Sequence, residues 1–163
     1  MRHSRLAGLA GVVMLAACSS ASTPTSTVST VAAPPSSSAA TAVPRPAISE
    51  LKVATTTLGD IVVDGAGMTL YMYTKDTKGT TASACTGGCL VAWPLVVAAD
   101  APKLTGVTGT VATIPTADGR KQVTLDGWPL YYYAKDAKAG DVTGQNVGQV
   151  WFVLDKAGTP IKK

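Results

Sequence analysis

All five tyrosines of the chain lie in two short stretches sixty positions apart. They are Tyr71-Met72-Tyr73-Thr74-Lys75-Asp76 and Tyr131-Tyr132-Tyr133-Ala134-Lys135-Asp136. On a strand, alternation puts Tyr71 and Tyr73 on one face with Leu70 and Met72 on the other, and Tyr131 and Tyr133 repeat the arrangement. Two tyrosine ladders rimmed by Lys75, Lys78, Lys135 and Lys138 suit an anionic ring, a glycan or an acidic polymer, and Trp128 or Tyr132 suits stacking on a sugar. A tyrosine can ligate haem, Met68 and Met72 offer soft donors to copper, and Asp136 with Asp141 is half of a calcium loop. A plainer reading competes and takes precedence. Tyrosines pack apolar bodies while their hydroxyls find partners. Asp76 and Asp136 open turns and bond the backbone two residues on, and the lysines are solvated edges that discourage sheet pairing.

Enzymatic machinery is scarce. The chain has one histidine, His3, in the segment expected to be removed, so Ser–His or Cys–His nucleophiles and His-ligated metal have no local support. Tyr71 to Lys75 and Tyr131 to Lys135 share the spacing of a short-chain dehydrogenase site. On a strand, however, such residues stand about 13 Å apart, and no glycine-rich dinucleotide loop accompanies them. The expectation is a protein that is not an enzyme, with no cofactor and no bound metal. The three cysteines divide into Cys18 near the start and the close pair Cys85 and Cys89. Outside the cytosol such a pair is expected to form a disulfide that fixes a local turn. A redox-active thiol pair is the alternative, though the C-x-x-C spacing is missing.

The elements that must position these residues read as strands. Segments 51–57, 60–64, 69–75, 108–115, 121–126, 129–135 and 149–155 are short and rich in Val, Thr, Ile and aromatics, separated by Gly, Asp and Pro. Residues 117–120, 64–68 and 126–129 read as tight turns. No stretch holds helical periodicity over three turns. An all-β fold follows, a small sandwich or barrel of two related β units with pseudo-twofold repeat, about 51–97 and 106–163. Asp64-Gly65 answers Asp126-Gly127, and Trp93 answers Trp151 at an offset of fifty-eight. Thr143 and Val147 then stand where the first unit has Cys85 and Cys89.

Ahead of the 51–163 domain, residues 1–17 read as a signal peptide: Arg2 and Arg5, then an apolar run too short to span a bilayer. Leu15-Ala16-Ala17-Cys18 resembles a lipobox, which makes Cys18 the expected lipidation site and the product a lipid-anchored protein. Residues 18–50 are a Ser/Thr/Ala/Pro-rich linker that cannot bury enough apolar area to order itself. Extended, it reaches up to about 95 Å. The net charge of +4 falls to +2 without Arg2 and Arg5, and the scattered lysines form no basic stripe, so nucleic acid is not an expected partner.

Both tyrosine stretches match Y-x-(F/W/Y)-x-x-D. The lipobox, the cysteine pair before Trp93-Pro94, the run 122–133 and Gly140-Asp141-Val142-Thr143-Gly144-Gln145 before Trp151 agree with it. In these features the chain resembles the bacterial predicted-lipoprotein family named for that motif, also described as a secreted repeat of unknown function. The resemblance implies an extracytoplasmic, membrane-anchored location and a repeated architecture; it supplies no catalytic residues. The expected function is a cell-envelope binding or interaction module, its partner an envelope glycan, acidic polymer or another envelope protein. The alternative is an accessory in surface electron, metal or haem handling.

Overall fold

A computed structural model of the protein describes residues 45–163. The expected signal, Cys18 and most of the linker lie outside the described residues. In chain order the elements are β1 (Glu50–Thr56), β2 (Gly59–Asp64), β3 (Tyr71–Tyr73), helix α1 (Cys89–Ala92), β4 (Lys103–Thr105), β5 (Val111–Pro115), β6 (Lys121–Leu125), β7 (Trp128–Pro129), a 3-10 turn (Val147–Gln149) and β8 (Trp151–Val153). They form three small sheets, ordered β2-β1-β4, β3-β8 and β5-β6-β7. The sheets do not close on one another, so the barrel alternative gives way to a twofold arrangement of two repeats.

Each repeat begins with a hairpin. β1 pairs antiparallel with β2, and β5 with β6. The reversals follow the chemistry of their residues. Asp64 Oδ1 accepts from the backbone N–H of Ala66 and Met68, both 2.9 Å away. Asp126 (φ 49°) and Gly127 (φ 80°) give the two left-handed positions that join β6 to β7. After the hairpin comes the tyrosine stretch, then one helical turn (α1, or the 3-10 turn), then the tryptophan segment.

The repeats exchange these last segments. β3 of the first repeat pairs with β8 of the second, while Tyr131 of the second bridges Leu95 of the first. Likewise Val62 N–H donates to the Leu154 carbonyl at 3.0 Å, and Val123 N–H to that of Val96 at 2.8 Å. Each hairpin thus takes backbone bonds from the other repeat's tryptophan segment, so the two repeats form one folding unit.

The two tyrosine stretches are not equally regular, and one residue explains why. Phe152 faces Met72, whereas Pro94 occupies the corresponding place opposite Tyr132. The Tyr132 N–H still reaches the Pro94 carbonyl at 2.8 Å, but proline has no N–H to return the bond. The expected strand over 129–135 therefore shrinks to β7 plus isolated bridges. β4 went unforeseen. Its three residues are exposed and pair parallel with β1, and only tertiary contact marks them as a strand.

Alternation along the strands divides the interior in two. One cluster holds Leu51, Val62, Leu70, Met72, Val96, Val123, Leu125, Leu130, Tyr132, Phe152 and Leu154. The other holds Ile61, Val63, Tyr71, Cys85, Trp93, Tyr131, Tyr133, Trp151 and Val153. As expected, Tyr71 parts from Leu70 and Met72, and the period of two is kept in both repeats.

Candidate functional site

The repeats meet at Tyr71 and Tyr131. Each backbone N–H donates to the other's carbonyl at 2.9 Å, a reciprocal bridge that marks the pseudo-twofold axis. Both residues are fully buried, so their hydroxyls must be satisfied internally. Each finds the aspartate of the opposite repeat. Tyr71 Oη donates to Asp136 Oδ2 at 2.7 Å, and Tyr131 Oη to Asp76 Oδ2 at 2.8 Å. The motif is thus completed across the axis rather than within either copy.

The remaining carboxylate oxygens pin the loops that follow. Asp76 Oδ1 accepts from Ala84 N–H at 2.6 Å. Asp136 Oδ1 accepts from the N–H of Thr143 at 3.0 Å and from its hydroxyl at 2.5 Å. Neither aspartate makes the bond to the backbone two residues on that is expected of a turn aspartate; both reach seven or eight residues ahead, because burial turns them inward toward the tyrosines. Burial raises the Asp76 carboxyl above the ordinary carboxylate range, against its bonds to Ala84 and Tyr131. Burial, then Asp136, pushes the Tyr71 hydroxyl far above the usual phenol value. Tyr131 is raised the same way, first by burial and then by the charge of Asp76 against the lowering effect of Ser83.

Around the pairs lies a stack of four rings, Tyr73–Trp151–Trp93–Tyr133. Successive centroids are 4.1, 3.8 and 4.3 Å apart, with interplanar angles of 11°, 4° and 25°. The rings alternate between repeats, and the two tryptophans meet at the centre. Tyr71 makes a T-shaped contact with Trp93 at 5.6 Å, and Tyr131 one with Trp151 at 5.1 Å. Such contacts are worth about 0.5–1.5 kcal/mol each beyond area burial. Gly144 lets the stack close: a Cβ there would lie 2.8 Å from the Tyr71 ring and 3.0 Å from Trp93. The Cys85–Cys89 disulfide (Cα–Cα 5.4 Å) closes the turn before Trp93, and Cys85 belongs to the same cluster.

The open tyrosine ladder is therefore absent. Tyr71, Tyr131, Tyr133, Asp76 and Asp136 are buried; Tyr73 is half-buried at the end of the stack. Tyr132 cannot serve as a sugar platform, because it is buried, its hydroxyl donates to Asp64 Oδ2 at 2.9 Å, and Arg45 covers its ring at 4.5 Å. Trp128 is half-buried against the first cluster. Met72 is buried in that cluster and Met68 packs on it. Asp136 and Asp141 are spent on different partners, the latter on Lys138 and two backbone N–H groups, which removes the calcium arrangement.

The lysines do lie at the surface. Lys78 pairs with Asp126 at 2.6 Å and Lys138 with Asp141. Lys75 and Lys135 are exposed, and Lys135 borders a cleft of about 430 Å³ lined by Val91, Ala92, Trp93, Tyr133, Ala134 and Val147. Of the expected site residues, the structure unites Tyr71 with Asp136 and Tyr131 with Asp76, and leaves Tyr133 and Lys135 together at this cleft. Cys18 is outside the described residues. Sequence reasoning missed Arg45, Gly144 and the contact between Trp93 and Trp151. The matching offset of the tryptophans was the available signal for the last.

Comparison with known proteins agrees with the repeat. A lipoprotein family model described as a secreted repeat of unknown function matches twice, at residues 52–97 and 112–155. No curated protein and no solved structure matches the chain.

Proposed function

The chain belongs to that family of secreted repeats, and from this premise we propose that it is a lipid-anchored, non-enzymatic interaction module of the cell envelope. It acts outside the cytoplasm. Its motif builds a rigid core, and its contacts with partners fall to the surface.

The observation that carries this reading is the use made of the motif. The carboxylates and hydroxyls best suited to chemistry are spent in buried pairs across the repeat axis. What faces solvent is an apolar, aromatic-floored cleft with one lysine at its edge. That combination suits the edge of a ring or sugar carrying an acidic group, held by apolar contact with the cleft walls and one charge. Haem or copper at the tyrosine and methionine strands has less support. A Tyr71 or Tyr131 ligand would first have to give up its carboxylate, and Met72 is buried.

Two measurements test the reading. Replacing Cys18 by Ser should move the protein from the membrane fraction to the soluble fraction; retention in the membrane would overturn the anchor. Titrating the full chain with an acidic and a neutral glycan, read by tryptophan fluorescence, should show binding that Lys135→Glu weakens for the acidic one. No response to either glycan would refute the cleft.

A further inference from the structure

Packing accounts for the rings of the aromatic cluster. It does not account for two carboxylates beneath the tyrosine hydroxyls. Burying a charge is costly even when it is hydrogen-bonded, as Asp76 and Asp136 are, and replacing both members of such a pair by apolar groups is often close to neutral. Here the arrangement occurs twice, each copy at the edge of the same ring stack.

We propose that the four-ring stack and its two tyrosine–carboxylate pairs form an oxidation relay. A one-electron oxidant of the peroxyl-radical class takes an electron at the half-exposed Tyr73, whose hydroxyl proton passes to solvent and returns when Trp151 refills the ring. The vacancy moves along the stack and comes to rest on Tyr71 or Tyr131.

Tyr73, Trp151, Trp93 and Tyr133 are in near-parallel contact at 3.8–4.3 Å, so no gap interrupts transfer. From the stack, Tyr71 is reached through its T-shaped contact with Trp93 and Tyr131 through its T-shaped contact with Trp151. At Tyr71 one electron leaves for the oxidised neighbouring ring. The proton on Oη passes across the 2.7 Å bond to Asp136 Oδ2. The products are a neutral tyrosyl radical and a neutral carboxylic acid, and the oxidant is reduced by that one electron. Tyr131 and Asp76 do the same across 2.8 Å.

Burial supplies the direction. Before oxidation each pair holds a desolvated negative charge; afterwards it holds none. The low-dielectric interior penalises the charge and so favours the oxidised, proton-shifted pair. A vacancy left on a tryptophan gains no such discharge. The raised proton affinity of Asp76 points the same way.

The test is pulse radiolysis of the full chain with azidyl radical as the oxidant, following tryptophanyl and tyrosyl absorbance. Trp128→Phe serves as the background, so that the tryptophan signal arises from Trp93 and Trp151. The expected result is conversion of tryptophanyl to tyrosyl radical at a rate independent of protein concentration and slower in deuterium oxide. Replacing Asp76 and Asp136 by Asn should slow it about tenfold, or about 1.4 kcal/mol of barrier. Conversion unchanged in deuterium oxide, or tryptophanyl radicals lost only in bimolecular encounters, would overturn the proposal. Should the Asn variants fail to fold, the solvent isotope effect on the chain with native aspartates decides alone. None of these readouts depends on a ligand in the cleft.

Discussion

Removing one oxygen from Tyr71 tests whether the cross-axis pairs hold the repeats together. Tyr71→Phe keeps the ring, its edge contact with Trp93 and its burial. It deletes the donor to Asp136 Oδ2 and also the acceptor of the Gly144 N–H at 3.2 Å. Two buried groups are thus left with an unmade bond. A hydrogen bond to a charged group is worth about 1.5–3 kcal/mol, and a neutral one about 0.5–1.5 kcal/mol. The expected loss is about 3 kcal/mol. Tyr131→Phe removes the donor to Asp76 and strands no backbone N–H, so its expected loss is smaller, about 2 kcal/mol. Urea denaturation with a common slope measures both, and in a domain of this size the Tyr71 variant should melt roughly 10–15 °C lower. A Tyr71→Phe protein within about 0.5 kcal/mol of the parent, or an inverted order of the two variants, refutes the reasoning.

Burial also makes ionisation of Tyr71, Tyr131 and Tyr132 a stability matter, since each hydroxyl is held above its ordinary value. A folded-state value above the unfolded one means this stability is fully present below about pH 10 and is lost as pH rises further. Tyrosinate absorbance from these three of the five tyrosines should appear together with loss of tertiary circular dichroism; separate transitions would contradict the pairing. Reducing the Cys85–Cys89 bond should cost about 2 kcal/mol by the chain-entropy argument, seen as a lower denaturant midpoint in reductant. Gly144→Ala should cost about 1–3 kcal/mol through overpacking, because its methyl meets rigid rings. A variant with unchanged midpoint would show that the loop can yield.

Much of the architecture was legible in the residues. Period-two alternation around Leu70-Tyr71-Met72 and Leu130-Tyr131-Tyr132 separated the two interior clusters, since strand geometry depends only on local backbone. Asp64-Gly65 and Asp126-Gly127 marked their turns for the same local reason. The irregularity at 131–133 was written in Pro94, but it could be read only once Pro94 was known to face Tyr132. The tyrosines were legible as packing residues, whereas the aspartates were misread. A turn aspartate and an aspartate reaching a tyrosine fifty-five or sixty-five positions away look alike in a linear chain.

By itself, then, the sequence determined a β-rich duplicated domain, its face alternation and its close cysteine pair, because these rest on steric rules that act over a few residues. Tertiary structure alone decided that the repeats exchange their tryptophan segments, that each tyrosine answers the other repeat's aspartate, and that the four rings interleave. Those outcomes depend on which buried hydroxyl meets which buried carboxylate. That choice is made only when both repeats exclude water around one axis.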